Sequence, residues 1–261
     1  MSIITLLSGS GSPGTTTTAL ALALSWPRPV ILLDADPSGS AAVLAGYLRG
    51  EQHRDAASVA DLAIALRAGE LEDSLPAVQI PLSDTVSLIP GPKTHAQAVR
   101  ALQGLWQPLA TVLAAQADQG VDVIVDAGRL GLVGHPEPLV QASDLVLLVS
   151  RCTIPAIAGM YQWAGQLRTQ FAEMGVPDAV GLLLLGPGRT YSAAEVRAAT
   201  NVPVYATLPL DPVAAEVYSL GTQPGTRHNR SPLAKALPAA VEAITTRLRK
   251  QAETLMEVSN D

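Results

Sequence analysis

The residues best suited to chemistry sit together near the start of the chain, in Ser8-Gly9-Ser10-Gly11-Ser12-Pro13-Gly14-Thr15-Thr16-Thr17-Thr18. An apolar run before them, Ile3 to Leu7, reads as a buried strand. The Ala/Leu-rich run after them, Ala19 to Leu24, reads as a helix. A glycine-rich loop between a strand and a helix N-terminus is an anion site, because free backbone N–H groups and the helix dipole both face it. Two anion chemistries fit. Gly9, Gly11 and Gly14 satisfy G-x-G-x-x-G, the dinucleotide fingerprint. Asp34, 20 residues beyond Gly14 at the end of the second strand, stands where an acid would meet a ribose 2′-OH. Gly9, Gly14 and Thr16 also satisfy G-x-x-x-x-G-K-[ST], the triphosphate loop, except that Thr15 holds the lysine position.

Three features favour a triphosphate. Four threonines follow Gly14 where the dinucleotide motif continues with apolar residues, and a hydroxyl at Thr16 suits Mg²⁺. Asp126, at the end of the strand-like run Val121 to Val125, is placed to hold Mg²⁺ directly or through water. Asp34 and Asp36 form an acidic pair, more carboxylate than ribose recognition needs.

The elements that must position these groups alternate along the chain. Pro29 to Leu33, Val86 to Ile89, Val121 to Val125, Leu145 to Val149, Ala179 to Leu185 and Val202 to Ala206 read as further strands. Helices are expected over Ala41 to Leu48, Val59 to Arg67 with Ser58 as N-cap, Leu105 to Gln116, Ile157 to Met174 and Ala193 to Ala199. The last runs from about Pro232 to Val258, with a kink expected at Pro238. Its apolar stripe is Leu233, Leu237, Val241, Ile244, Leu248 and Leu255. Continuous apolar strands alternating with helices give an α/β fold, a doubly wound and mainly parallel sheet, in one domain over residues 1–261.

Composition supports a well-buried core: hydrophobic residues are 48% and charged residues 15% of 261. With aromatics at 3%, that core is built from Ala, Val, Leu and Ile. A net charge of -6 offers no global attraction to nucleic acid or anionic lipid. Cys152 is the single cysteine, so no intramolecular disulfide is possible and a reducing cytosol is the natural setting. Met1 leads straight into a strand without a charged n-region, and no apolar stretch is long enough to span a bilayer. A cytoplasmic protein without stable membrane insertion is the expectation.

Taken in order, these segments resemble the MinD/ParA group of P-loop ATPases. Gly9 to Thr17 lines up without a gap with that group's deviant Walker A motif, x-K-G-G-x-G-K-T-T. Asp34-Ala35-Asp36-Pro37-Ser38-Gly39 is similar to its D-x-D-P-x-G segment, and Val123-Ile124-Val125-Asp126 to its Walker B strand. Leu208-Pro209-Leu210-Asp211-Pro212 is similar to its late L-P-x-D-P segment beside the adenine. The resemblance implies ATP or ADP with Mg²⁺ as cofactor. Gly9, Ser10, Gly11, Ser12, Gly14, Thr15, Thr16 and Thr17 would hold it, with the backbone N–H groups of Gly11 to Thr16 around the phosphates. Thr16 would ligate Mg²⁺, Asp126 would hold it through its shell, and Asp36 or Asp34 would orient the attacking water. Leu208 to Pro212 would wall the adenine, with Pro209 as the contact.

The departures bear on activity. The group's signature lysine, which crosses a dimer to the partner's phosphates, corresponds to Ser10, and the Walker lysine to Thr15. Ser12 replaces the second glycine of its G-G pair, and Gly186-Pro187-Gly188 stands where an Asn reads adenine. No lysine precedes Lys93. A cation on a transferring phosphoryl group is typically worth ~10²–10³ or more in rate. The expectation is therefore a degenerate P-loop with weak or absent hydrolysis, acting through protein contacts as a positioning, assembly or partitioning factor. Within the group the nearest analogy is to the TadZ/CpaE-like members that place pilus or secretion machinery. Loss of the cross-subunit lysine implies a monomer or a nucleotide-independent homodimer. Two alternatives remain: a working Mg²⁺-dependent ATPase using Arg129 or Arg151 as substitute cation, and an NAD-binding oxidoreductase.

Other groups carry blander expectations. Cys152 reads as a small buried residue. His53, His95, His135 and His228 lack ligand spacing and read as surface or loop residues. Gly221 to Ser231 reads as an exposed polar loop, and the terminal helix as packed on the sheet rather than anchored in a membrane.

Overall fold

The structure, a computed structural model, describes residues 2–50 and 56–258, with the side chains of 117, 118 and 255–258 outside the description. His53 and the Leu255 side chain of the terminal stripe fall outside it. Eight strands form one sheet: β1 (Ile3–Ser8), β2 (Val30–Asp34), β3 (Ile80–Pro81), β4 (Val86–Ile89), β5 (Asp122–Arg129), β6 (Leu145–Arg151), β7 (Val180–Leu185) and β8 (Val204–Leu208). Their order is β3-β4-β2-β5-β1-β6-β7-β8. All pairs are parallel except the short β3–β4 pair at one edge.

Alternation along the central strands sends side chains into two cores. Ile3 and Leu7 of β1 join Val123 and Val125 of β5 on one face, and Ile4 and Leu6 join Ile124 on the other. The first face is covered by α2 (Val59–Ala68), α4 (His95–Ala101), α5 (Trp106–Asp118) and α7 (Ile154–Glu173), through residues such as Leu62, Ala98, Leu109, Met160 and Phe171. The second is covered by α1 (Thr15–Leu24), α9 (Pro212–Ser219) and α10 (Pro232–Val258), through Leu20, Leu22, Ala214, Leu237, Ile244 and Leu248. Three short helices complete the set: α3 (Leu71–Ser74), α6 (Glu137–Gln141) and α8 (Ala193–Thr200). With helices on both faces, the central strands are buried on both sides, which is why their middles read as apolar runs, with polar residues such as Asp34 and Asp126 towards their ends. Among the described residues no helix is long and apolar enough to cross a membrane.

Several expectations shift in detail. Helix α1 begins at Thr15 rather than Ala19. Gly14 turns the chain at φ 116° and its carbonyl accepts the Thr18 amide at 2.9 Å, so the threonines form the first turn. Strand β5 does not stop at Asp126. Its pairing with β1 slips by one residue between Leu6 and Ser8, and the strand runs on to Arg129. The segment expected as a helix over Ala41 to Leu48 is a π-helical turn, Val43–Tyr47, closed by the Leu48 amide on the Val43 carbonyl at 3.0 Å. It is pressed against the end of α9, where a Cβ on Gly46 would lie 2.1 Å from the Ser219 carbonyl oxygen. Ser58 caps α2 as expected, in a reciprocal capping box with Asp61. Helix α10 is continuous through Pro238. The lone cysteine is buried, and burial pushes its thiol up in pKa.

The segment after β2 is held by contact with the start of α4. A Cβ on Gly39, at φ +74°, would lie 2.1 Å from the Thr94 carbonyl carbon, and His95 Nδ1 lies 2.7 Å from the Pro37 carbonyl oxygen. Gly39→Ala is expected to cost more than about 2 kcal/mol, combining left-handed strain with backbone overlap. Gly50→Ala, at φ +70° but with nothing within 4 Å, should cost only about 1 kcal/mol. Equal shifts in thermal midpoint for the two variants would contradict the contact.

Candidate functional site

The central strands deliver the candidate residues to one edge of the sheet. In parallel pairing, Asp34 of β2 is in register with Asp126 of β5, and the Ala35 amide donates to the Asp126 carbonyl at 2.8 Å. Asp34 and Asp126 are only 2% and 1% exposed. The carboxyls of Asp34 and Asp36 are accommodated because two residues distant in sequence lack side chains. A Cβ on Gly91 would lie 2.5 Å from the Asp34 carboxyl carbon, and one on Gly128 would lie 2.4 Å from that of Asp36. The Asp34 carboxylate accepts the Asp36 amide at 3.2 Å, and Asp126 accepts the Gly128 amide at 3.1 Å. Asp36 also accepts the Ser38 amide at 2.8 Å.

Burial pushes the Asp34 carboxyl well above the usual carboxylate range, with the Asp126 and Asp36 charges adding to it. Burial likewise pushes Asp126 up to about 6; the neighbouring Thr16 hydroxyl opposes this and the Asp36 charge reinforces it. Among the described residues, the groups that set these carboxyls are their burial, the neighbouring acids, backbone amides and the Thr16 hydroxyl. Asp126 Oδ2 and the Thr15 hydroxyl are buried without a hydrogen-bond partner. Orphaned buried polar atoms call for an explanation, and a bound ion or ligand is one.

The glycine-rich loop packs on α7. A Cβ on Gly9 would lie 2.7 Å from Met160 Cα, and one on Gly159 would lie 2.3 Å from Ser10 Cβ. Ser12 is exposed. The backbone N–H groups of Gly11, Ser12, Gly14, Thr15, Thr16 and Thr17 have no protein acceptor among the described residues, and α1 carries neither an acid in its first turn nor a side-chain cap. That leaves a row of unpaired donors at the positive end of a helix.

Beside the loop is a cavity of about 170 Å³, lined by Pro13, Gly14, Thr17 and Arg151 on one side and Leu208 to Pro212 on the other. Pro209 is therefore in the wall where the adenine contact is expected. The volume suits one flat ring rather than a whole nucleotide. The Asp211 carboxylate, in the lining, caps α9 at Ala214 (3.2 Å) and accepts the α10 amide of Leu233 (3.5 Å). Gly186 to Gly188 contributes nothing to the lining.

The residues thus fit a nucleotide with Mg²⁺: unpaired amides for phosphates, an apolar slot for a base, and Thr16 beside Asp126 for the ion. Among the described residues no group of three or more His, Cys, Asp or Glu side chains is arranged to hold a metal alone, so the ion would depend on the Thr16 hydroxyl and the phosphates as well. Ribose recognition by Asp34 does not fit, because its carboxyl is buried and bonded to the Asp36 amide. Of the two arginines, Arg151 reaches the loop, with Nε 3.4 Å from the Pro13 carbonyl oxygen, while Arg129 makes no hydrogen bond or ion pair among the described residues. His95 is exposed and His135 lies in a loop, as expected, yet both make contacts. His95 positions Pro37, and His135 is enclosed, 3.8 Å from Glu137. Sequence reasoning missed Gly91, Gly128 and Gly159. Of these, only Gly159 carried a signal, as a glycine inside a long helix.

No protein-family model matches the sequence, and no curated protein matches it. Solved structures do match in fold. A ParA family ATPase from Chlorobium tepidum superposes with a TM-score of 0.71 at 19% identity, over 92% of this chain and 98% of that one. The septum site-determining protein MinD of Pyrococcus horikoshii, complexed with Mg-ADP, gives 0.67 at 19% identity, over 93% and 95%. A chain of the MinC:MinD cell division protein complex of Aquifex aeolicus gives 0.69 at 12% identity, over 94% and 96%. The chain has the MinD/ParA-like P-loop fold.

The Asp126 carboxyl moves from an ordinary 3.8 to about 6 on folding. The folded state therefore holds that proton more tightly than the unfolded chain. Stability falls as pH rises from about 4 to about 6 and stays lower above it. In metal-free buffer, Asp126→Asn is expected to raise stability at pH 7 by about 3 kcal/mol, several degrees in thermal midpoint, and to gain nothing at pH 4. A variant no more stable than wild type at pH 7 would contradict an uncompensated buried charge.

Proposed function

We propose that, on the fold it shares with MinD and ParA ATPases, this chain is a nucleotide-binding factor whose P-loop has lost its lysines. It holds ATP or ADP with Mg²⁺ weakly, hydrolyses ATP poorly, and acts in positioning, assembly or partitioning through protein contacts. The observation that carries this reading is the row of unpaired amides at Gly11, Ser12 and Gly14 to Thr17, with the Thr16 side chain beside Asp126 and hydroxyls at positions 10 and 15. The amides supply the geometry for phosphates, and the apolar wall at Leu208 to Pro212 supplies the slot for a base. Thr16 and Asp126 are the residues that would hold Mg²⁺, which supplies charge neutralisation on the phosphates. Asp36, partly exposed and anchored through Ser38, is the better placed of the two acids to orient a water, since Asp34 is buried. Charge stabilisation of a transferring phosphoryl group is the largest element of such catalysis, so its loss from two positions leaves binding with little turnover. The absence of a base-reading side chain at Gly186 to Gly188 supports modest affinity and loose base selection.

Position 10 also bears on assembly. Ser10 is packed against Gly159 of α7, and a serine is too short to reach another subunit's phosphates. A monomer, or a dimer indifferent to nucleotide, follows.

Equilibrium binding and phosphate release test the reading. Wild type should bind Mg·ATP weakly, with turnover barely above a Mg²⁺-free control. Thr15→Lys should tighten Mg·ATP binding by roughly tenfold or more. Vigorous Mg²⁺-dependent turnover by wild type would make it a working ATPase instead, and tight NAD(H) binding without adenine nucleotide binding would make it an oxidoreductase. Sedimentation mass should be the same with and without ATP. A nucleotide-dependent doubling would show that dimerisation does not need a lysine at position 10.

A further inference from the structure

We propose that Arg151 is the phosphate-binding cation of this site, holding the phosphates that ADP and ATP share. The inference rests on the nucleotide reading above and assigns the charge that reading lacks. Arg151 ends β6, and its register with Leu185 of β7 places it in the wall of the 170 Å³ cavity. It is the only cation among the described lining residues. Its Nε points to the Pro13 carbonyl at 3.4 Å, which ties the side chain to the loop, and the two terminal nitrogens have no protein acceptor among the described residues. A guanidinium anchored by Nε and free at its outer edge can present paired N–H groups to a phosphate, and it stays charged at any physiological pH.

Three observations independent of Arg151 mark the adjoining space as a ligand site. The helix N-terminus carries unpaired amides, the Thr15 hydroxyl is buried at 7% exposure without a partner, and Oδ2 of Asp126, the neighbour of Thr16, is buried without a partner as well. Position matters as much as charge. Arg151 lines the base cavity together with Pro13 and Gly14, whereas Asp34, Asp36 and Asp126 do not line it. The arginine therefore approaches the loop from the base side. A cation there strengthens binding of the phosphates nearest the ribose and adds little at the terminal phosphoryl group, where turnover would need it. Binding without hydrolysis is the expected behaviour, with ADP and ATP held alike.

The test compares wild type, Arg151→Ala, Arg151→Lys and Arg129→Ala by calorimetry against ADP, ATP and adenosine, with thermal melts confirming that each variant folds. Arg151→Ala should weaken ADP and ATP by a similar factor, roughly tenfold or more, and leave adenosine unchanged. Arg151→Lys should recover part of the loss. Raised salt should weaken ADP binding to wild type more than to Arg151→Ala. ADP affinity unchanged in Arg151→Ala overturns the assignment while leaving the nucleotide reading standing, as does a loss seen only in Arg129→Ala. Failure of wild type to bind any of the three ligands overturns both.

Discussion

The register of β2 against β5 is the constraint on which the site depends. Parallel pairing sets Asp34 beside Asp126 at the edge of a sheet whose two faces are sealed by helices, and Asp36 follows two residues on. Shifting that register by one would turn every side chain of β2 to the opposite core, so the apolar pattern that folds the sheet also fixes the acids. Their burial has a cost, visible in the raised pKa of both Asp34 and Asp126. Much of the surroundings accommodates them. Gly91 and Gly128 leave room for carboxyls, and backbone amides at Asp36 and Gly128 supply donors. None of these is a full positive charge. A cluster of this kind is stabilised when a cation arrives with a ligand, and it resists the fold when none does.

How much of this was legible in the sequence varies with the range of the interaction. Strands buried on both faces announce themselves as unbroken apolar runs, and local signals such as Ser58 with Asp61 place a helix start to the residue. The loop between β1 and α1 was legible because its chemistry is local: glycines, then hydroxyls. The contacts that hold the loop were not. Gly9 against Met160 and Ser10 against Gly159 join segments about 150 residues apart, and Asp34 against Gly91 joins segments nearly 60 apart. Periodicity carries no record of such pairs. The same limit hid the choice between Arg129 and Arg151. Both end central strands, yet only the second turns toward Pro13 and the cavity, because β6 lies between β1 and β7 and faces the wall that β8 and α9 build.

Geometry and charge have separated in this loop. Backbone amides at a helix N-terminus need only the turn at Gly14 and the helix behind it, so they survive any side-chain change at positions 10 and 15. Lysines at those positions act through side-chain charge alone, and a hydroxyl cannot reproduce it. A loop that keeps the first and lacks the second retains the shape that recognises phosphates and loses most of the field that drives their transfer. A binding event that is not followed by rapid hydrolysis has no built-in release step. On the proposed reading, switching would therefore come from exchange of ligand or from a partner, and its regulation would lie on the surface around the loop rather than in the chemistry beneath it.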